Sequence, residues 1–267
     1  MFDYHVHSKI SFDSEAEPEQ IICEARKKGI REICFTDHMD FEGPVPNTCL
    51  DYQEYLTTYV PLQSKYQDIT IKLGVEIGSE PGKFDQCNAF LQDKVFDFII
   101  CSQHVVKGDD PYFPTFFERY SREEGYRRYL EELLAGIEEF NEFDVVGHIG
   151  YVSKYYPGEN RKIDYPAEFQ DIIDEILKVA IQKGKGIEVN TGGMYQIGDF
   201  EPTKEIIQRY IGLGGEILTL GSDSHFPQVV GAYFDQAMDF LEAIGAKYLC
   251  TFTKRIPTFH KLSSLMR

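Results

Sequence analysis

The chain has 267 residues, 42% of them hydrophobic and 14% aromatic, with a formal charge of −17. Such a length suits one large domain or two small ones and is the usual size of a single α/β barrel, and the apolar content excludes wholesale disorder. So acidic a surface repels a phosphate backbone and excludes a general nucleic-acid binder, although bound divalent ions would offset charge locally and admit a small anionic substrate.

The strand-like runs, in chain order, are FDYHV, EICFT, TIKLGVEI, FDFIIC, DVVGH, GIEVN and EILTLGS. Helix-like stretches lie between them, over residues 18–28, 51–66, 121–140, 166–183, 203–213 and 229–243. Pro18 suits a first helical turn. SREE at 121–124 is a capping-box pattern, and Gly29, Gly184 and Gly214 punctuate helix ends. Strands that are apolar on both faces are expected where each face is covered. The alternation predicts a parallel sheet, read here as a distorted, TIM-barrel-like (β/α)7 barrel forming a single domain over residues 1–267.

Polar residues fall at one end of each strand. In order they are His5 and His7, Thr36-Asp37-His38, Glu76, His104, His148, Asn190, then Asp223 and His225. The C-terminal strand ends of an α/β barrel line one face, where the site lies. Six of the seven histidines belong to this set, and only His260 does not. With Asp13 there are nine candidate ligands: His5, His7, Asp13, His38, Glu76, His104, His148, Asp223 and His225. Imidazole and carboxylate donors without thiolate suit zinc, manganese or iron in an open catalytic site. So many donors imply two or three ions with a carboxylate bridging.

The six cysteines form no close pair and read as buried reduced thiols. No run is long and apolar enough to span a membrane, and the first residues lack the pattern of a signal peptide. The expectation is a cytoplasmic protein without membrane or nucleic-acid partners. Arg161, in YYPGENRK, could grip a phosphate bidentately. Asp109, Asp110 and Glu118 could meet a cationic group, and Tyr112, Phe113, Phe116 and Phe117 could form a lid or simply pack their loop down. The stretch 190–193, Asn-Thr-Gly-Gly, could offer backbone donors to an anion or serve as a turn. The basic C-terminal stretch is expected to dock on the barrel or on a neighbour.

HVH, TDH, the isolated GVE, QHV, GHIG and SDSH, in this order, resemble the polymerase and histidinol phosphatase (PHP) superfamily over essentially the whole chain. The stretch CSQHVVKGDDPYFPTFFERYSREEGYRRYLEELL resembles its monofunctional histidinol-phosphatase branch. The resemblance implies three divalent ions. His5 and His7 would hold the first with Glu76 and Asp223, and Asp13, His38 and His225 the second. Glu76 would bridge to a third, held also by His104 and His148. Asp37 would orient a ligand. It further implies hydrolysis of L-histidinol phosphate by a metal-bridging hydroxide, with no catalytic side chain beyond the ligands. Rival readings are a phosphoesterase of the same kind acting on nucleotides or short oligonucleotides, and a non-catalytic metal-binding module. An amidohydrolase also carries H-x-H on its first strand, but usually with a bridging carboxylated lysine that the sequence near Glu76 lacks.

Overall fold

Strand and helix alternate from the first residues in the computed structural model, which describes residues 1–41, 45, 46 and 48–265. The order begins β1 (Phe2–Val6), α1 (Pro18–Lys27), β2 (Glu32–Phe35), β3 (His38–Met39), α2 (Tyr52–Lys65), β4 (Thr70–Gly78) and α3 (Phe84–Leu91). It continues β5 (Phe98–Ser102), α4 (Pro114–Arg119), α5 (Arg122–Glu139), β6 (Val145–Val146), α6 (Val152–Tyr155), α7 (Gln170–Gln182) and β7 (Gly186–Asn190). The last elements are α8 (Gly193–Gln196), α9 (Lys204–Gly212), β8 (Leu218–Gly221), α10 (Phe234–Ala243), β9 (Tyr248–Thr253), β10 (Ile256–Lys261) and α11 (Leu262–Leu265).

The sheet order is β1-β2-β4-β5-β6-β7-β8, with β3 also paired to β4, and every pairing is parallel. β3 therefore continues β2 alongside β4 after a break at Thr36 and Asp37, giving seven staves. The ring closes between β1 and the segment after β8. The Asp223 amide donates to the His5 carbonyl at 2.8 Å, and the His7 amide donates to the Ser224 carbonyl at 2.9 Å. Asp3 clamps the same seam by accepting from the Ser222 amide and hydroxyl and from the Gly231 amide, at 2.9, 2.6 and 3.0 Å. The expected seven-fold α/β barrel is the observed one.

The helices cover the outside because each turns an apolar stripe onto the sheet. In α1 the stripe is Ile21, Ile22 and Ala25, and each fully buried Ile contributes roughly 1.5–3 kcal/mol. Side chains cap two of the helices, the second being the cap expected from the SREE pattern. Asp51 accepts from the Gln53 and Glu54 amides ahead of α2, and Ser121 accepts from the Glu124 amide ahead of α5. Two helices start later than the sequence pattern suggests. α7 begins at Gln170 rather than 166. α10 begins at Phe234 rather than 229, after a short 3-10 turn at Pro227–Val229 and a left-handed Tyr233 at φ +61°.

The barrel interior has two levels. At the N-terminal end, Tyr4, Cys34, Phe98, Ile100, Val145, Cys250 and Phe252 pack as an apolar plug. Two of these come from the antiparallel hairpin β9–β10, where the basic C-terminal stretch docks. The Tyr4 hydroxyl fixes that hairpin, donating to the Glu32 carboxylate and accepting from the Phe252 amide at 2.8 Å. The other level, at the C-terminal strand ends, is polar. No helix among the described residues is long and apolar enough to cross a membrane.

Candidate metal centre

β1 and the residue that follows it point His5 and His7 into the barrel, two positions apart on one side of the chain. Both are fully buried. Their Nε2 atoms lie 3.0 Å apart, at 3.3 and 3.4 Å from Glu76 Oε2 and 3.6 and 3.5 Å from Asp223 Oδ1. Asp223 sits on the seam with φ +53°, a backbone region that costs a non-glycine residue energy and gathers at functional sites. Across the mouth, Asp13 Oδ2 lies 3.4 Å from His38 Nε2 and 3.1 Å from His225 Nε2. On the far side of Glu76, His148 and His104 approach Oε1 at 2.9 and 3.4 Å. All nine residues expected from the sequence converge.

Glu76 is the centre of this arrangement. One oxygen faces His5 and His7, and the other faces His104 and His148. It is fully buried, and neither oxygen has a hydrogen-bond partner among the described residues. A buried carboxylate without hydrogen bonds is costly, and a cation held between it and the ring nitrogens satisfies it. Four triads of donor atoms lie close enough to share an ion: His5-His7-Glu76, His7-His38-His225, His38-Asp40-His104 and Glu76-His104-His148.

The rings are aimed by partners at their other nitrogens. His5 Nδ1 meets Glu188 at 2.8 Å, His104 Nδ1 meets Asp40 at 2.9 Å, and His7 Nδ1 meets the Ser11 hydroxyl at 3.0 Å. Asp37 acts at one remove. Its Oδ1 accepts from Ser11 at 2.9 Å and from the Ser8 amide at 2.8 Å, and Tyr59 donates to its Oδ2. Lys154, buried, bridges Asp223 Oδ2 at 3.0 Å and Glu201 at 2.9 Å, so Asp223 turns its Oδ1 to the histidines. Gly221 leaves the room His5 needs, since a Cβ there would lie 2.5 Å from the His5 Cβ.

The electrostatics split the histidines. Burial, with His225 and His38 alongside, holds His7 well below the usual imidazole range, so it is neutral and ready to ligate. Burial also opposes charge on His104, but Asp40 and Glu76 outweigh it and push the ring up to about 10. His5 is likewise raised, with Glu188, Glu76 and Asp223 overcoming burial. Burial works against the Glu76 charge, yet His5, His104 and His38 hold the carboxylate well below its usual range.

Glu188, Asp40, Ser11 and Lys154 were not singled out in the sequence. Glu188 has a signal there: a carboxylate inside an otherwise apolar strand, GIEVN, must find a partner. The structure does not bring Arg161 or Glu118 to the mouth. The Arg161 guanidinium rests against the Gly158 and Gln196 carbonyls, and Glu118 is exposed on α4. The 190–193 stretch is a turn whose Gly192 amide is already taken by Asn190 Oδ1 at 2.8 Å. Of the loop aromatics, Phe116 is buried and packs the loop down, whereas Tyr112 lines the cavity. That cavity, about 690 Å³, opens over the cluster between Phe12, Phe226, Tyr195, Tyr151 and Tyr155.

Fold and site together define a class: an α/β barrel with a candidate multinuclear metal centre at its C-terminal mouth. The model of the PHP domain matches residues 3–192, and the chain belongs to that family. It is 33% identical to a histidinol-phosphatase of Lactococcus lactis subsp. lactis strain IL1403, over 94% of each chain. Among solved structures it is similar to the histidinol phosphate phosphatase of that organism, complexed with zinc, L-histidinol and phosphate. The TM-score is 0.88 and the identity 31%, covering 96% of this chain and 98% of the other. A Listeria monocytogenes structure shares the fold, with a TM-score of 0.76 and 20% identity over 88% of this chain and 99% of that one.

Proposed function

We propose that this chain is a single-domain, metal-dependent histidinol-phosphatase that hydrolyses L-histidinol phosphate to L-histidinol and phosphate. One observation carries the reading: a full-length likeness to a histidinol-phosphatase coincides with a donor set in which seven of the nine expected ligands fall into groups close enough to share an ion, with Asp13 and Asp223 beside them. The ions would be three. His5, His7, Glu76 and Asp223 would hold one, and Asp13, His38 and His225 a second. Glu76, His104 and His148 would hold the third. The donors suit zinc, manganese or iron. When bound, such ions polarise phosphoryl oxygens and lower the pKa of coordinated water to about 7.

The protein's own groups do the positioning. Glu188, Asp40 and Ser11 fix three imidazoles, and Lys154 with Asn190 holds the outer oxygen of Asp223. The aromatic walls seat the substrate and exclude water. The charge of −17 supports a small phosphate ester rather than a nucleic acid as partner, and a cytoplasmic location fits the free cysteines.

The test is phosphate release by metal-assayed protein from histidinol phosphate, sugar phosphates and nucleoside monophosphates, before and after chelation. A clear preference for histidinol phosphate that vanishes with the metal is expected. Preference for a nucleotide would replace the substrate, and indifference to complete metal removal would refute the mechanism.

A further inference from the structure

The cavity over the cluster has one lining carboxylate that belongs neither to the cluster nor to its bonded partners. Of the acidic residues lining it, Asp13 and Asp223 are in the cluster and Asp40 is bonded to His104. Asp110 is the remaining one among the described residues. It is half-buried, and its Oδ1 accepts from the Tyr112 amide at 2.8 Å and from the Tyr151 hydroxyl at 3.2 Å. Both bonds fall on the same oxygen, and among the described residues no protein donor meets Oδ2.

Tyr151 joins this carboxylate to the metal ligands. Its ring centroid lies 5.3 Å from that of His104 and 5.3 Å from that of His148. Tyr155 stands 5.0 Å from Tyr151 and 5.3 Å from Tyr112, both edge-on. The result is an aromatic wall that runs from the ligands to a carboxylate with an oxygen to spare. Aromatic faces attract cations, and a carboxylate is the natural acceptor for a charged N–H donor.

Resting on the substrate reading above, we infer that Asp110, steered by Tyr151, is the specificity-determining residue that accepts a hydrogen bond from the cationic nitrogen end of the substrate while the phosphate lies at the cluster. Asp110 sets which phosphomonoester binds and takes no part in cleaving it.

The test compares wild type, Asp110→Asn and Tyr151→Phe, each checked for metal content and melting temperature. For Asp110→Asn, kcat/KM on histidinol phosphate falls by about tenfold to a hundredfold, the size of one charge-assisted hydrogen bond. The loss lies in KM. Turnover of p-nitrophenyl phosphate, which has no cation, stays within about twofold, and calorimetric binding of L-histidinol weakens in step. Tyr151→Phe shows the same selective loss in smaller measure, which covers the case of an Asn variant that folds poorly. Equal losses on both substrates, or unchanged L-histidinol affinity, would overturn the inference. A wild type that binds L-histidinol but does not hydrolyse its phosphate would sink the substrate reading, and the binding comparison would still decide the role of Asp110. A wild type that does not bind L-histidinol would overturn it.

Discussion

His5 holds its Nδ1 at 2.8 Å from Glu188, and this bond aims Nε2 at His7, Glu76 and Asp223. A carboxylate accepts, so Nδ1 carries the proton and Nε2 is left as the donor to a cation. Glu188→Gln keeps the shape but offers an amide in place of the charge. Metal affinity is expected to fall by about tenfold to a hundredfold. Competition titration against a chelator reads this directly, and an unchanged affinity would show that Glu188 does not tune His5.

Glu76→Gln replaces the carboxylate that, among the described residues, faces both imidazole pairs. The loss in kcat/KM should exceed the roughly hundredfold typical of partners that touch only the ligands, and elemental analysis should find fewer ions per chain. Full occupancy with near-normal turnover would mean the ions lie elsewhere.

Metal uptake should release protons. In the stripped protein Asp40 and Glu76 push His104, against burial, up to about 10, so its ring is charged at pH 7. Ligation requires the neutral ring. Binding therefore ejects at least one proton at pH 7, His5 being raised as well, and apparent affinity rises with pH. His7, held neutral, contributes none. Calorimetry of zinc binding in two buffers of different ionisation enthalpy measures the proton count, and a count of zero contradicts the assignment.

Lys154→Met leaves Glu201 buried beside Asp223 without its cation. Breaking one side of a buried pair costs about 3–5 kcal/mol. Urea unfolding of the metal-free protein should show a loss of that order. A change under about 1 kcal/mol would mean the network relaxes.

Ser121→Ala removes the N-cap of α5. The expected cost is about 1 kcal/mol, or about 2–4 °C in a chain of this class. Activity should be untouched, since Ser121 lies outside the cavity. Thermal melting followed by circular dichroism checks the first expectation, and an assay at saturating substrate the second.

The clustering of the candidate ligands was legible because strand ends in a barrel share one face, so ordinal position in the chain becomes position in space. HVH, TDH and SDSH each sit where an apolar run stops, and GVE places its glutamate two residues before the end of β4. Their partners were harder to see. Lys154, in YVSKYYPG, looks like any solvated loop lysine until the loop folds its Nζ between Asp223 and Glu201. Asp40 follows His38 closely and reads as part of the same turn, yet it serves His104, which lies far along the chain. Long-range pairing of this kind has no local signature. The C-terminal hairpin also escaped notice, because its short strands flank a Lys-Arg pair in left-handed backbone rather than glycine.

The seam between β1 and the segment after β8 has a consequence for how the protein would come apart. His5 and His7 stand on one side of it, and Asp223 and His225 on the other. Ions gripped from both sides would rivet the first stave to the last, adding their binding free energy to closure of the ring. Starved of metal, the molecule should breathe at this joint first, with faster amide exchange in β1 and protease cuts near its start while the hairpin end stays shut. Metal hunger in the cell would then be felt as turnover of the polypeptide as well as idleness of the enzyme.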